Sequence, residues 1–307
     1  HLRHCGGSEA LQMALTCILD EGDEILIPEP FYPNYNTFVS VTGGVIRPIP
    51  TTPEEGYRYA DRARIEPLIN EHTRAILVTN PGNPTGVVLS PEEMRLMADI
   101  AKEHGLFLIS DEVYREFVYG GEPLAPWPSL TMRPRTWWWW TPSPSGSPPA
   151  RPGGHPGVPE PGTDGPGPED LPGPPVCRHP GPAGRCRPVR RGLRIFSAVR
   201  EEYHRRRDTC MEGLSQIPGV VCECPKGAFY LMAKLPVDDT DKFQTWLLEE
   251  FQDNGETVMF APGEGFYGTP GKGRDEVRLA YILKQADLRR AMEVLAHGIE
   301  AYNSRKL

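Results

Sequence analysis

Five short stretches of this chain combine residue types that do chemistry at spacings that let them do it together. Gly6-Gly7-Ser8-Glu9-Ala10 stands at the start of the first helical pattern. Glycines there admit close backbone approach, and a helix start offers free N–H groups to an anion such as a phosphate. Pro28-Glu29-Pro30-Phe31-Tyr32-Pro33-Asn34-Tyr35 is a stiff loop presenting aromatic rings. Asn80-Pro81-Gly82-Asn83-Pro84-Thr85-Gly86 and Asp111-Glu112-Val113-Tyr114 follow two apolar runs and set an amide, a carboxylate and a phenol just past them. Glu276-Val277-Arg278-Leu279-Ala280 sets an arginine within an apolar run. Each stretch alone has a plainer explanation: a turn, surface packing, a double turn, a helix cap before a core tyrosine, an edge-strand arginine. As a set they describe a ligand site.

Such a set needs a scaffold that brings strand ends together. Residues 5–130 alternate apolar runs with amphipathic patterns, which predicts an α/β fold with a mainly parallel sheet. Strands are expected at Glu24–Pro28, Val45–Ile49, Ala75–Thr79 and Leu106–Ser110. The clearest helix lies between the last two: Ser90 can cap it, Pro91 suits its first position, Met94, Met97, Ile100 and Ala101 share a face, and Gly105 ends it. In open sheets of this kind ligands sit at the carboxyl ends of the strands, where the Asn83 and Asp111 motifs fall.

Residues 196–307 read as a smaller α/β unit. Helices are expected over Val199–Ile217 and Asp241–Asp253 and from near Ala286, the last with Leu288, Ala291, Met292 and Leu295 on one face. Strands are expected at Val220–Glu223, Ala228–Lys234, Thr257–Ala261 and Val277–Ile282. Gly263-Glu264-Gly265-Phe266-Tyr267-Gly268 fits a dinucleotide fingerprint, but Thr269-Pro270-Gly271 follows where a helix is required, so it is a loop. Gly271-Lys272-Gly273 lacks the earlier glycine and the following Ser or Thr of a phosphate-binding loop.

With these motifs in place the chain resembles the class I aminotransferases, fold-type I enzymes that use pyridoxal 5′-phosphate, in their aspartate/aromatic aminotransferase-like branch. The resemblance covers residues 5–130 and, through Pro225-Lys226-Gly227-Ala228-Phe229-Tyr230 and the Arg278 motif, the last unit. It implies a large cofactor domain with a mainly parallel sheet and a small C-terminal α/β domain. It also implies roles: Asp111 pairing with the pyridine nitrogen, Tyr114 and Asn83 bonding the phenolic oxygen, Tyr32 stacking on the ring. Gly6, Gly7 and Ser8 would cradle the phosphate, and Arg278 would take the substrate's α-carboxylate. The implied activity moves an amino group between an amino acid and a 2-oxo acid in a homodimer. A pyridoxal-dependent carbon–sulfur lyase shares the same cofactor motifs, and a non-catalytic protein binding the cofactor or an amino acid is the alternative from another class.

The resemblance also implies a Schiff-base lysine about 30 residues after Asp-x-x-Tyr, in a Ser-x-x-Lys motif behind an apolar strand. No lysine stands between Lys102 and Lys226. In its place Thr131–Gly192 holds 17 prolines and 11 glycines in 62 residues, and the run Trp137 to Trp140. Ordinary domains carry about 12% of the two together, and no core is built through such a density of breakers. Tryptophan has the single codon TGG, and a TGG repeat read one base earlier is valine. With permitted codons, Trp137–Ala150 in that frame becomes four valines followed by Asp-Ser-Val-Ser-Lys, with the lysine codon straddling Pro144 and Ser145. The expectation is therefore three segments: 1–130, the first part of the cofactor domain; 131–194, frame-shifted translation or a Pro/Gly-rich linker; 195–307, the small domain. No catalytic residue is assigned, because the lysine is missing.

Bulk properties narrow the partners. A net charge of -8 argues against a nucleic-acid or anionic-membrane binder. No apolar run approaches the roughly 18 residues of a membrane-spanning helix, and no signal-peptide pattern is present. Seven cysteines form no framework, and Cys222 and Cys224 lie one residue apart, so no metal site is expected and cytoplasmic reduced thiols are the default. The chain begins at His1 with its apolar pattern already under way, which suggests a preceding segment.

Overall fold

The computed structural model describes residues 6–121, 136–139 and 192–305. Its larger sheet is built from β1 (Glu24–Pro28), β2 (Val45–Ile49), β3 (Thr73–Thr79), β4 (Phe107–Asp111) and β5 (Thr136–Trp139), in the order β2-β1-β3-β4-β5, every pair parallel. Period-two alternation divides the strand side chains between two cores. Leu26, Ile76, Val78 and Leu108 pack under α4 (Pro91–Glu103) with Met94, Met97, Ile100 and Ala101. Ile25, Ile27, Ala75, Leu77 and Ile109 face α1 (Gly7–Ile18) and α2 (Asn34–Ser40) through Leu11, Leu15, Tyr35 and Val39. This is the expected α/β architecture, with β1 and β2 at the expected residues.

Local signals explain α4 well. Ser90 Oγ accepts from Glu93 N at 3.2 Å while Glu93 Oε2 accepts from Ser90 N at 2.7 Å, a full capping box. The short helix α3 (Arg62–Ile65) is capped more simply, by Asp61, whose Oδ1 accepts from Ala63 N at 3.0 Å.

The second unit is a three-stranded antiparallel sheet, β6 (Tyr230–Lys234), β8 (Glu276–Ala280) and β7 (Ala261–Pro262), with β8 central. Its core joins Leu231 and Ala233 of β6 and Val277 and Leu279 of β8 to α5 (Gly192–Ser215), α6 (Thr240–Glu249) and α7 (Gln285–Ser304). Two expected strands are corrected. Val220–Glu223 contributes only an isolated bridge, Val221 to Lys234. Of Thr257–Ala261 only Ala261 falls in β7, because a side chain takes the preceding backbone groups: Phe260 N donates to Gln244 Oε1 at 2.7 Å, and Met259 is 77% exposed. The expected helix end at Asp253 retreats to Glu249, with Asp253 N bonded to Glu256 O in a backbone turn.

The two units meet through buried contacts at the carboxyl ends of the large sheet. The Glu29 side chain is fully buried and accepts from Gly268 N (3.2 Å), Thr269 N (3.0 Å) and Thr269 Oγ1 (2.9 Å), with Lys272 Nζ at 3.3 Å. Gly227 lies where a Cβ would come within 2.7 Å of Phe117 O, Pro81 and Val88, so only glycine permits this approach. Among the described residues no helix is long and apolar enough to cross a membrane, and no group of three His, Cys, Asp or Glu side chains is placed to hold a metal.

Candidate active site

At this junction a cavity of about 330 Å³ opens over the ends of β3 and β4. Gly7 and Ser8, Tyr32, Asn83, Asp111 and Tyr114, and Arg278 all line it, drawn from positions up to 271 residues apart in sequence. Gly6 is the N-cap of α1, one residue behind the wall, in an extended conformation. The first residues of α1 therefore stand at the cavity wall, and a helix start is the kind of place suited to an anion.

Asp111 ends β4. Its Oδ1 accepts from Val113 N at 3.1 Å and its Oδ2 from the Tyr35 hydroxyl at 2.8 Å. Tyr35 has one proton, so Thr79 Oγ1, 2.8 Å away, donates to the Tyr35 oxygen. Burial pushes the Asp111 carboxyl above the usual carboxylate range, and the bonds from Tyr35 and Val113 only partly offset this. Burial likewise pushes the Tyr35 phenol well up, with the Asp111 charge adding to it. A cationic group in the cavity would relieve this pair, since nothing positive touches Asp111 in these contacts.

Tyr114, three residues past the strand end, is raised by burial and by its hydrogen bond with Tyr230, so it stays a neutral donor. Its ring meets Phe229 and Tyr230 edge-on at 5.1 and 5.7 Å. Tyr32 crosses Tyr35 in a T-shaped contact at 5.6 Å, and its oxygen accepts from Asn34 Nδ2 at 2.8 Å.

Arg278 closes the other end from β8. Its Nη1 donates to Asn83 Oδ1 at 3.2 Å, which ties the small sheet to the loop after β3. The guanidinium lies 4.5 Å from the Tyr230 ring centroid and 4.9 Å from that of Phe266, a sandwich that fixes its plane. Its Nε is buried without a hydrogen-bond partner. A buried unpaired donor costs free energy unless a ligand satisfies it, and a carboxylate approaching along Nε and the free side of the fork would do so.

The structure thus brings together seven of the eight residues expected from sequence and puts Gly6 immediately behind them. Tyr35, Thr79, Tyr230 and Phe266 were not singled out, although all stand in or beside the motifs that were. Tyr35 closes the aromatic loop already noted, and Tyr230 ends the Pro225–Tyr230 stretch. The expected lysine position near Pro144 and Ser145 lies outside the described residues, as does most of 131–194. Inside the stretch expected to be aberrant, Thr136–Trp139 nonetheless pairs with β4 as a strand, with Asp111 opposite Trp139.

The sequence model of the family described as "Aminotransferase class I and II" matches residues 4–137. The chain is similar to a probable aspartate/prephenate aminotransferase of Thermus aquaticus, 30% identical over 96% of this chain and 74% of that enzyme. It is 29% identical to the aspartate aminotransferase of Bacillus subtilis over 97% of this chain and 75% of that one. Among solved structures, a mutant of Thermus thermophilus aspartate aminotransferase superposes with a TM-score of 0.71 and 26% identity, covering 95% of this chain and 78% of the other. The aromatic aminotransferase of Pyrococcus horikoshii gives 0.72 and 25%, over 98% and 79%.

Proposed function

The chain belongs to the class I and II aminotransferase family, and from that premise we propose that its cavity binds pyridoxal 5′-phosphate and an amino acid without a covalent link to the protein. Family members are pyridoxal-phosphate-dependent enzymes that transfer amino groups to 2-oxo acids. The observation that carries the narrower reading is the composition of the cavity wall among the described residues: a carboxylate, two neutral hydrogen-bonding groups, a helix start and an arginine, and no lysine.

The donor set suits the cofactor. Asp111, raised by burial and touching no cation, would accept a hydrogen bond from a protonated ring nitrogen. Tyr114 and Asn83 can bond the phenolic oxygen, Tyr32 can cover the ring, and the Gly6-Gly7-Ser8 turn offers N–H groups to the phosphate. When bound, the cofactor supplies an electron sink that acidifies the substrate's α-C–H. Arg278 orients the substrate through its carboxylate, and the Tyr230 and Phe266 rings keep water from that side. Among the described residues no lysine amine lines the cavity to take and return the α-proton: those at 102, 226, 234, 242, 272 and 284 are all elsewhere. The chain as written therefore binds and orients but does not turn over.

The same reading takes residues from about 131 to 194 as frame-shifted translation of a parent that carries the lysine, and divides the chain at about 130 and 195. The parent is then a cytoplasmic homodimer acting on amino acid and 2-oxo acid substrates. Its support is the tryptophan run, the Pro/Gly excess, and the coincidence that the gap in chemistry and the gap in composition share one place.

The deciding experiment titrates the 307-residue chain with pyridoxal phosphate by tyrosine fluorescence, then reduces the complex with borohydride and maps it by mass spectrometry. Saturable binding with no site-specific lysine adduct, and no turnover of any amino acid, is expected. Turnover, or one lysine modified stoichiometrically, would overturn the reading.

A further inference from the structure

Glu276 stands two residues before Arg278 on β8 and is buried. Because strand side chains alternate, Glu276, Arg278 and Ala280 share the face turned away from the Val277 and Leu279 core. On that face both tyrosyl hydroxyls nearest to Glu276 donate to one oxygen: Tyr57 to Oε2 at 2.9 Å and Tyr267 to Oε2 at 2.7 Å. Tyr57 belongs to the turn after β2, in the other unit, and Tyr267 follows Phe266, whose ring lies on Arg278. Tyr57 and Tyr267 also pack together with Met232, the residue opposite Arg278 on β6.

These contacts close a ring of constraints around the arginine. From Arg278 the path runs across the Phe266 ring to Tyr267, through its hydroxyl to Glu276, and back along two residues of β8. Tyr57 fastens that ring to the large sheet, as Asn83 does from the other side. The loop can lie this close to β8 only because Gly273 has φ +75° and no Cβ, which would otherwise come within 2.5 Å of the Tyr267 ring. That is a physical use for the glycine-rich stretch Gly263–Gly273, which carries no nucleotide chemistry. Burial raises the Glu276 carboxyl and the two tyrosines pull it back down, as expected of an acceptor held by paired donors inside the protein.

We propose that Glu276 is a positioning residue for Arg278: through Tyr57 and Tyr267 it sets the guanidinium at the distance from the large sheet at which a substrate carboxylate is recognised. The inference rests on the proposed ligand site and deepens it by separating carboxylate recognition from cofactor binding. Glu276 touches neither ligand.

The test uses the full chain and two probes: pyridoxal 5′-phosphate alone, followed by fluorescence, and 3-phenylpropionate at saturating cofactor, followed by calorimetry. Glu276→Ala leaves two buried hydroxyls without an acceptor and is expected to weaken 3-phenylpropionate binding about tenfold or more, with cofactor affinity within about twofold. Glu276→Gln keeps a carbonyl oxygen where both bonds converge, so it is expected to restore the carboxylate affinity to within about threefold of the parent. Tyr57→Phe removes one bond with almost no change in volume, and serves if Glu276→Ala does not fold; an intermediate loss of about fivefold is expected, again for the carboxylate alone. Equal carboxylate affinity in the parent, Glu276→Ala and Tyr57→Phe would overturn the inference, as would parallel losses for both probes, the mark of a merely structural residue. A parent chain that binds neither probe would overturn the ligand-site reading itself, and this inference with it.

Discussion

The two ends of the cavity are held in different ways. At the Asp111 end the carboxylate, Tyr35 and Thr79 all belong to the large sheet and its flanking helix, and their hydrogen bonds close among themselves. At the Arg278 end the guanidinium stands on the small sheet and depends on Asn83 and, through Glu276, on Tyr57 from the other unit. One end is preorganised by a single core. The other exists only while two units stay in register, so the ends should respond separately to mutation.

The largest expected effect breaks the asymmetry at the missing group. Expressing the coding region with the frame restored across 131–194 is expected to take turnover from nothing detectable to the ordinary range of about 1–1000 per second. If instead the coding DNA has one intact frame and peptides from 141–190 are found by mass spectrometry, the frame-shift reading fails. Next, Arg278→Ala removes a charge-assisted fork and is expected to weaken binding of a small carboxylate about 30- to 100-fold, leaving cofactor affinity unchanged. Calorimetry with both ligands reads this directly, and a matching loss of cofactor affinity would merge the two ends.

Asp111→Asn probes the preorganised end. Folding raises this carboxyl, so the ligand-free chain carries a stability cost at pH values above the raised pKa, relieved as pH falls through it towards the ordinary carboxylate value. The asparagine chain is therefore expected to melt higher than the parent at neutral pH, yet to bind the cofactor about tenfold more weakly for want of a charge-assisted bond. In the parent, cofactor affinity is expected to fall as pH drops through the raised pKa, because the neutral acid no longer attracts a protonated ring nitrogen. A lower melting temperature for Asp111→Asn would show that the hydrogen bonds from Tyr35 and Val113 outweigh burial. Smaller still, Tyr35→Phe removes one donor to Asp111, with an expected loss of about fivefold in cofactor affinity and no change at the carboxylate end. As a remote control, Ser90→Ala breaks the capping box and is expected to cost about 1 kcal/mol of stability in denaturant unfolding without altering either ligand.

The same asymmetry governs what the sequence made legible. The residues of the large sheet announce themselves locally: β1 and β2 are bounded by turn formers, and the Ser90-Pro91 cap and Gly105 frame α4. Asp111 and Asn83 sit just past apolar runs, where the sheet rule places ligands. Tyr57 and Glu276, by contrast, are 219 residues apart, and nothing near either one signals the other. Tyr35 and Asp111 are 76 apart and equally silent. The misplaced strands have a related cause: Thr257–Phe260 has strand-like composition, but its backbone at Val258 and Phe260 bonds the Gln244 side chain, and the Thr257 hydroxyl donates to Leu247 O of a helix, rather than pairing with another strand. Short-range pattern fixes which element forms; long-range hydrogen bonding decides what each side chain is for.

The pairing of Thr136–Trp139 with β4 has one more consequence. A strand needs only its neighbour's backbone N–H and C=O groups, so β5 can occupy the flank of β4 whatever side chains it carries. By doing so it covers the hydrogen-bonding rim of the strand that ends in Asp111. An uncovered rim is a template for β-augmentation by another chain. A polypeptide stopped before Thr136 would present Phe107–Asp111 as an open, apolar edge, and would self-associate through it.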